Sequence, residues 1–280
     1  MLASMASALF IPWFRWEAWV FDVPVMGVVT LRPFAVLVWL ALLVGMVTAV
    51  IFAKTHGRSV PQTLNLALYL VLFSFPISYV LNAAFYLPEQ FRSLVRYPAE
   101  LFQAKLGWSM FGGIIGAIVG AWVWKWRTKG SILRIGDAAA FAGPFGWFFA
   151  RLGCFGAHDH PGRVTDFFLA VADFQVGTPP YQPRHDLGLY DAIVIALVAA
   201  VFAILARKPR PDGFYVALLP ILYTPCRFLL DFLRAPVADG GDIRYAGLTP
   251  GQYAAAGLFI VGVILMRRIL CSSKTADARP

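Results

Sequence analysis

The run Arg151-Leu152-Gly153-Cys154-Phe155-Gly156-Ala157-His158-Asp159-His160-Pro161-Gly162-Arg163 puts two arginines, two histidines, a carboxylate, a thiol and three glycines into thirteen positions, directly after a long apolar segment. A guanidinium at the edge of hydrocarbon needs a partner or a water-lined cavity, so ionisable groups at membrane depth are functional-site candidates. Arginine offers a planar fork of donors suited to phosphate or carboxylate. Imidazole titrates near neutrality and suits general-base work, so His158 and His160 are base candidates beside the commoner alternative of solvated loop histidines. The expectation is a polar cavity that holds a phospholipid headgroup.

Other residues join this stretch by type and position. Arg227 abuts the apolar run Phe228 to Leu230, as Arg151 follows Phe145 to Ala150, which favours a cavity-facing role for both. Arg227 and Asp231 are four apart and are predicted to pair on one helix face. Arg163, Arg234 and Arg244 read instead as headgroup anchors that snorkel. His185, between Arg184 and Asp186, is predicted to fix the start of the following helix. Cys154 and Cys226 each lie near an arginine. A guanidinium makes a thiol more reactive, while a small buried residue is the plainer reading. A disulfide between the two requires that their helix ends meet.

Composition sets the frame. Hydrophobic residues make up 59% of the 280 and charged ones 14%, with a mean hydropathy of +0.68. A soluble domain carries about a quarter charged residues, so this is an all-α polytopic membrane protein, a single membrane domain over 1–280. The net charge of +9 does not indicate nucleic acid. The segments 54–61, 125–134, 207–213 and 267–280 hold thirteen of the 24 lysines and arginines, opposed only by Asp212 and Asp277. By the positive-inside rule these are cytoplasmic. No cleavable signal is read in Met1 to Phe10, and three cysteines are too few for a disulfide scaffold.

Hydropathy and breakers then predict seven spans. Residues 10–21, rich in tryptophan, are predicted to form an interfacial helix. The spans run about Phe34 to Ala53, Leu64 to Phe85 with Pro76 as a kink, Gly107 to Trp124, Ile135 to Arg151, Leu189 to Ala206, Phe214 to Leu230, and Leu248 to Met266. Gly112, Gly113, Gly116 and Gly120 lie on one face of the third and permit close helix approach. The fourth looks short and broken by Gly143, Pro144 and Gly146. Tyr86 to Lys105 and the region 157–189 are outer segments, the latter a periplasmic loop region, and 267–280 is a cytoplasmic tail. Thr249 is a predicted N-cap with Pro250 at the first helical position. Seven spans put the amino terminus outside and the carboxyl terminus inside, so the site faces the periplasm from the inner membrane. A solute transporter is disfavoured, because the charges cluster on one side rather than at mid-bilayer.

Five motifs in order resemble the prolipoprotein diacylglyceryl transferase family: Gly-Gly-x-x-Gly (Gly112, Gly113, Gly116), Arg-Leu-Gly-x-Phe (Arg151 to Phe155) leading to Asp159 and Gly162, Arg-His-x-x-x-Leu-Tyr-Asp (Arg184 to Asp191), Arg-Phe-x-x-Asp-Phe-x-Arg (Arg227 to Arg234) and Leu-Thr-x-Gly-Gln (Leu248 to Gln252). The resemblance covers about residues 25 to 266. It implies transfer of the diacylglyceryl group of phosphatidylglycerol to the lipobox cysteine of a prolipoprotein signal-peptide segment, within the bilayer. No metal or other cofactor is implied. Arg151, Asp159, Arg227 and Asp231 are the implied catalytic residues, to which His158 and His160 are added as base candidates by their own chemistry; Gly112, Gly113, Cys154, Gly162, Arg184, Tyr190 and Gln252 are the expected substrate-binding set.

The family pattern is altered at several polar positions. Its usual Ser-Phe-His-Gly-Gly reads Ser109-Met110-Phe111-Gly112-Gly113, its tyrosine after Arg32 is Phe34, its asparagine is Cys154, and its two glutamates are Asp159 and Asp231. Phenylalanine cannot move a proton. Either His158 or His160 replaces the missing base, or another acceptor is used, or the chain binds phospholipid or lipoprotein without turnover.

Overall fold

The computed structural model describes residues 11–13, 16–23, 27–86, 91–92, 96, 108–173, 182–239 and 241–277. Most of the outer segment predicted from Tyr86 to Lys105 therefore lies outside the described residues. Among the described residues there are seven α-helices: α1 Pro33–Thr55, α2 Val60–Tyr86, α3 Met110–Thr128, α4 Ile132–Ala157, α5 Leu187–Leu205, α6 Phe214–Leu230 and α7 Pro250–Asp277. Five stretches, Pro33–Thr55, Val60–Phe85, Leu187–Leu205, Phe214–Leu233 and Pro250–Ser272, are long and apolar enough to cross a membrane. The chain is thus a multi-pass helical membrane protein. Glycines dilute α3 and α4, and α4 also carries Arg134, Asp137 and Arg151.

Two predictions about local structure are corrected. The described residues of 10–21 form no interfacial helix: β1 (Ile11–Trp13) and β2 (Trp19–Val23) are strands, and β2 pairs antiparallel with β3 (Gly27–Leu31). Tryptophan, valine and phenylalanine suit a pleated surface once a partner strand is present. The loop region 157–189 likewise contains β4 (Pro161–Val164), β5 (Val171–Asp173) and β6 (Arg184–Asp186), which with β1 form one sheet in the order β1-β5-β6-β4. β1 runs parallel to β5, with Ile11 opposite Val171.

The fourth span is neither short nor broken, since α4 is continuous over 26 residues through Pro144. The glycines here serve contact rather than interruption. A Cβ on Gly146 would sit 2.4 Å from the Ala41 carbonyl oxygen, so only glycine lets α4 approach α1 this closely.

The chain gathers into two compact units: Met1–Gly45, Gly143–Val201 and Leu229–Asp242 form the first, and Met46–Ala142, Phe202–Phe228 and Ile243–Pro280 the second. All six strands belong to the first. In the second, α2 and α3 pack along the predicted glycine face. Cβ atoms at Gly112, Gly116 and Gly120 would come within 2.7, 2.5 and 2.5 Å of Ser78, Phe73 and Tyr69 backbone atoms. Ser109 caps α3 by accepting from the Gly112 N–H at 3.0 Å. Phe52, Phe141, Phe202 and Tyr215 form an aromatic cluster with centroids 4.4 to 6.2 Å apart. Asp137, 1% exposed, accepts from the backbone N–H groups of Gly213, Tyr215 and Val216 at 2.7, 2.9 and 3.1 Å, tying α4 to the start of α6.

Candidate functional site

The first unit contains most of the predicted site. Helix α4 carries Arg151 and Cys154 in its last two turns and stops at Ala157. His158 adopts φ +50°, a left-handed conformation that non-glycine residues seldom take. Its N–H bonds the Phe155 carbonyl, and that of Asp159 bonds the Cys154 carbonyl at 3.5 Å. The chain therefore turns back over the helix end and sets Asp159 and His160 beside Cys154.

Arg151 is 7% exposed and its Nε lies 3.2 Å from Asp191 Oδ2, itself buried on α5. Trp147 lies under the guanidinium at 5.7 Å, and Nη1 donates to Cys154 Sγ at 3.8 Å. A buried cation needs such a counter-ion, since breaking a buried pair costs roughly 3–5 kcal/mol. In the sequence Asp191 stands out only as the last residue of the Arg184 to Asp191 motif, and a separation of 40 positions from Arg151 hid the pairing. The Cys154 thiol is half-buried, and none of Cys154, Cys226 and Cys271 forms a disulfide.

The two histidines have different surroundings. His158 Nδ1 meets Asp186 Oδ2 at 2.8 Å, and its ring lies against Trp13 with centroids 4.9 Å apart. Asp186 is 1% exposed and also accepts from the Leu189 N–H at 2.8 Å, so one carboxylate caps α5 and aims His158. With Nδ1 donating to the carboxylate, Nε2 is the basic nitrogen. His160 Nδ1 instead contacts the exposed Asp159 carboxylate.

Other predicted residues hold the frame. Gly162 is buried where a Cβ would meet the His185 Cβ and the Leu233 carbonyl oxygen, each at 2.6 Å. Arg184 donates to the Gly162 carbonyl at 3.2 Å and lies 3.7 Å from Asp239. The Tyr190 hydroxyl donates to Leu169 and meets His185 Nδ1 at 3.0 Å, as predicted for a histidine that fixes the start of α5. Burial pushes the His185 imidazole below its ordinary range.

One electrostatic prediction changes. Arg234 is no surface anchor: it is 9% exposed and bridges Asp231, at 2.8 Å, and Asp242, at 2.9 Å. Asp231 opens the 3-10 turn that follows α6, which brings it to Arg234 three residues on. Arg163 donates to the Arg234 carbonyl.

Arg227, Gly112, Gly113 and Gln252 belong to the second unit. Arg227 is buried on α6. Gln252 and Thr249 form a capping box, Gln252 N–H to Thr249 Oγ1 at 3.2 Å and Thr249 N–H to Gln252 Oε1 at 3.0 Å, confirming the predicted helix start. The Gln252 amide nitrogen donates to the Phe228 carbonyl. Phe111, at the family's histidine position, stands edge-on to Phe85 at 6.1 Å.

A cavity of about 630 Å³ in the first unit is lined by Trp16, Glu17, Ala18, Arg32, Pro33, Phe34, Gly156 and Ala157. That volume suits a headgroup-sized ligand. It lies at the last residues of α4, immediately before His158. Arg32 and Glu17 were not predicted as site residues; the available signal was the Arg-x-Phe step from Arg32 to Phe34.

The chain matches the family model for prolipoprotein diacylglyceryl transferase over residues 23–268. The phosphatidylglycerol–prolipoprotein diacylglyceryl transferase of Nitratidesulfovibrio vulgaris is 32% identical over 218 residues, 76% of this chain and 78% of the relative. The enzymes of the same name from Idiomarina loihiensis and Janthinobacterium sp. are 34% and 31% identical over 163 and 173 residues, 58% and 60% of this chain. Those two matches span 60% and 64% of the relatives' own lengths.

Proposed function

Since the chain belongs to the prolipoprotein diacylglyceryl transferase family, we infer that it transfers the diacylglyceryl group of phosphatidylglycerol to the lipobox cysteine of a prolipoprotein. It does so from the periplasmic side of the inner membrane, with seven spans, the amino terminus outside and the carboxyl terminus inside. The balance of basic residues supports that orientation.

The reaction needs a thiolate and a stabilised leaving phosphate. The lipobox thiol gives its proton to Nε2 of His158, which Asp186 holds in the correct tautomer. The sulfur then attacks the glyceryl carbon, the carbon–oxygen bond to phosphate breaks, and its electron pair leaves with glycerol phosphate. Arg151, kept charged and oriented by Asp191, is the donor for the phosphate as charge builds on it. Arg227 is proposed as a phosphate donor on its motif alone. The cavity bounded by Arg32 and Phe34 is proposed for the headgroup. Asp231, Gly162, Arg184, Tyr190 and Gln252 position the frame rather than touch the reacting atoms, and Gly112 lines the α2–α3 packing face with Gly113 at its border.

The observation that carries this reading beyond family membership is the His158–Asp186 pair, which supplies a base where Phe111 cannot. Purified protein incubated with phosphatidylglycerol and a lipobox peptide is expected to release glycerol phosphate. Release no faster than in the Arg151→Ala and Arg227→Ala variants would instead make the chain a lipid-binding relative without turnover.

A further inference from the structure

Cys154, Asp159 and His160 each place one ligating atom so that the three lie within 4.8 Å of one another. We propose that they bind a zinc-class divalent cation whose fourth position takes the lipobox thiol as substrate. The proposal rests on the transferase reading and adds to it the way the thiol is held and activated.

The donor set is the first argument. One thiolate, one imidazole and one carboxylate are ligands that zinc accepts, and three protein ligands with an open fourth position are the arrangement of catalytic rather than structural zinc sites. Bonds of about 2.0–2.3 Å place tetrahedral ligands nearer together than the present spacing. Asp159 is exposed and His160 only half-buried, so both side chains can close that gap.

Charge is the second. Thiolate and carboxylate supply two negative charges against a dication. The one cation beside Cys154 in this group, Arg151, is already matched by Asp191 at 3.2 Å. Cys154 also lies in the last turn of α4, at the negative end of the helix dipole. His158 does not belong to the group; it keeps its own partner in Asp186. The left-handed residue His158 is what folds Asp159 and His160 back to Cys154, so the strained backbone and the cluster share one cause.

A thiol that coordinates such an ion is deprotonated outright. Its proton passes to His158 Nε2. The bound sulfur then donates an electron pair to the glyceryl carbon and forms the thioether. The carbon–oxygen bond breaks toward phosphate, glycerol phosphate leaves, and the neutral thioether dissociates from the cation.

The test uses the full chain in detergent with Cys226→Ser and Cys271→Ser, so that Cys154 is the remaining thiol. Titration with cobalt(II) is expected to give one equivalent of tetrahedral ligand-field bands with a thiolate charge-transfer band, displaced by zinc. Cys154→Ser should abolish the charge-transfer band. Asp159→Asn and His160→Ala, whose side chains are at least partly exposed, should each weaken binding by at least about tenfold. A lipobox peptide should strengthen the charge-transfer band, and its Cys→Ser version should not. No band, or a band that survives Cys154→Ser, overturns the site; a band insensitive to the peptide thiol overturns its role in activation. Glycerol phosphate release measured in parallel separates the two readings. Undiminished release after chelation refutes the metal role and leaves the transferase standing. Cobalt bound at Cys154 with peptide-responsive bands but no release supports the site and removes the transferase.

Discussion

Replacing Asp186 with asparagine separates two tasks that one buried carboxylate performs. Asp186 Oδ1 accepts from the Leu189 N–H at 2.8 Å, and Oδ2 meets His158 Nδ1 at the same distance. The asparagine carbonyl can keep the helix cap, so Asp186→Asn should cost stability only the loss of charge at the α5 amino terminus, about 0.3–1 kcal/mol. Its amide nitrogen then faces His158 Nδ1, which must accept rather than donate, and the ring proton moves to Nε2. The base is lost while the fold is kept. General-base catalysis contributes roughly 10²–10⁴ in rate, or about 3–5 kcal/mol of barrier. Turnover by glycerol phosphate release should fall by that factor, while the thermal midpoint in detergent moves little. His158→Ala should lose as much, and the double variant no more than either alone, because the two act as a unit. Activity of Asp186→Asn within about threefold of the parent, or multiplicative losses in the double variant, would refute the assignment of His158 as base.

Three further outcomes follow from the packing. Asp137→Ala leaves three backbone N–H groups without their acceptor, and at about 1–3 kcal/mol for a buried unpaired group it should be among the most destabilising single changes in the second unit, read as an early unfolding transition. Gly116→Ala should cost about 1–3 kcal/mol by forcing α2 and α3 apart, while Gly113→Ala, whose Cβ would meet nothing nearer than 4.0 Å, should leave the midpoint unchanged or raise it; equal effects would refute the packing. Burial lowers the His185 pKa below 6.5, so the unfolded chain binds more protons there and stability falls as pH drops from about 6.5 toward the folded value. His185→Gln should flatten that part of the stability profile measured between pH 7 and 5.

Much of this protein is written locally. Apolar runs of about 20 residues identify spans because hydrocarbon requires them whatever their neighbours. Gly112, Gly116 and Gly120 are three and four apart, which marks a contact face before any partner is known. Thr249, Pro250 and Gln252 specify a helix start within four residues, since a capping box closes on itself. The motifs around Arg151, Arg184 and Arg227 were enough to identify the family. Tertiary structure decided the rest. Ile11–Trp13 and Trp19–Val23 became strands because β1 pairs with Val171–Asp173 and β2 with Gly27–Leu31, and sheet pairing depends on a partner that hydropathy does not reveal. The counter-ion of Arg151 proved to be Asp191, the acceptor for His158 proved to be Asp186, and Arg234 proved to be a buried bridge to Asp231 and Asp242. Sequence spacing shows that charges are present, but only packing decides which pairs share a dry environment, and there an ion pair must be matched or broken at several kcal/mol.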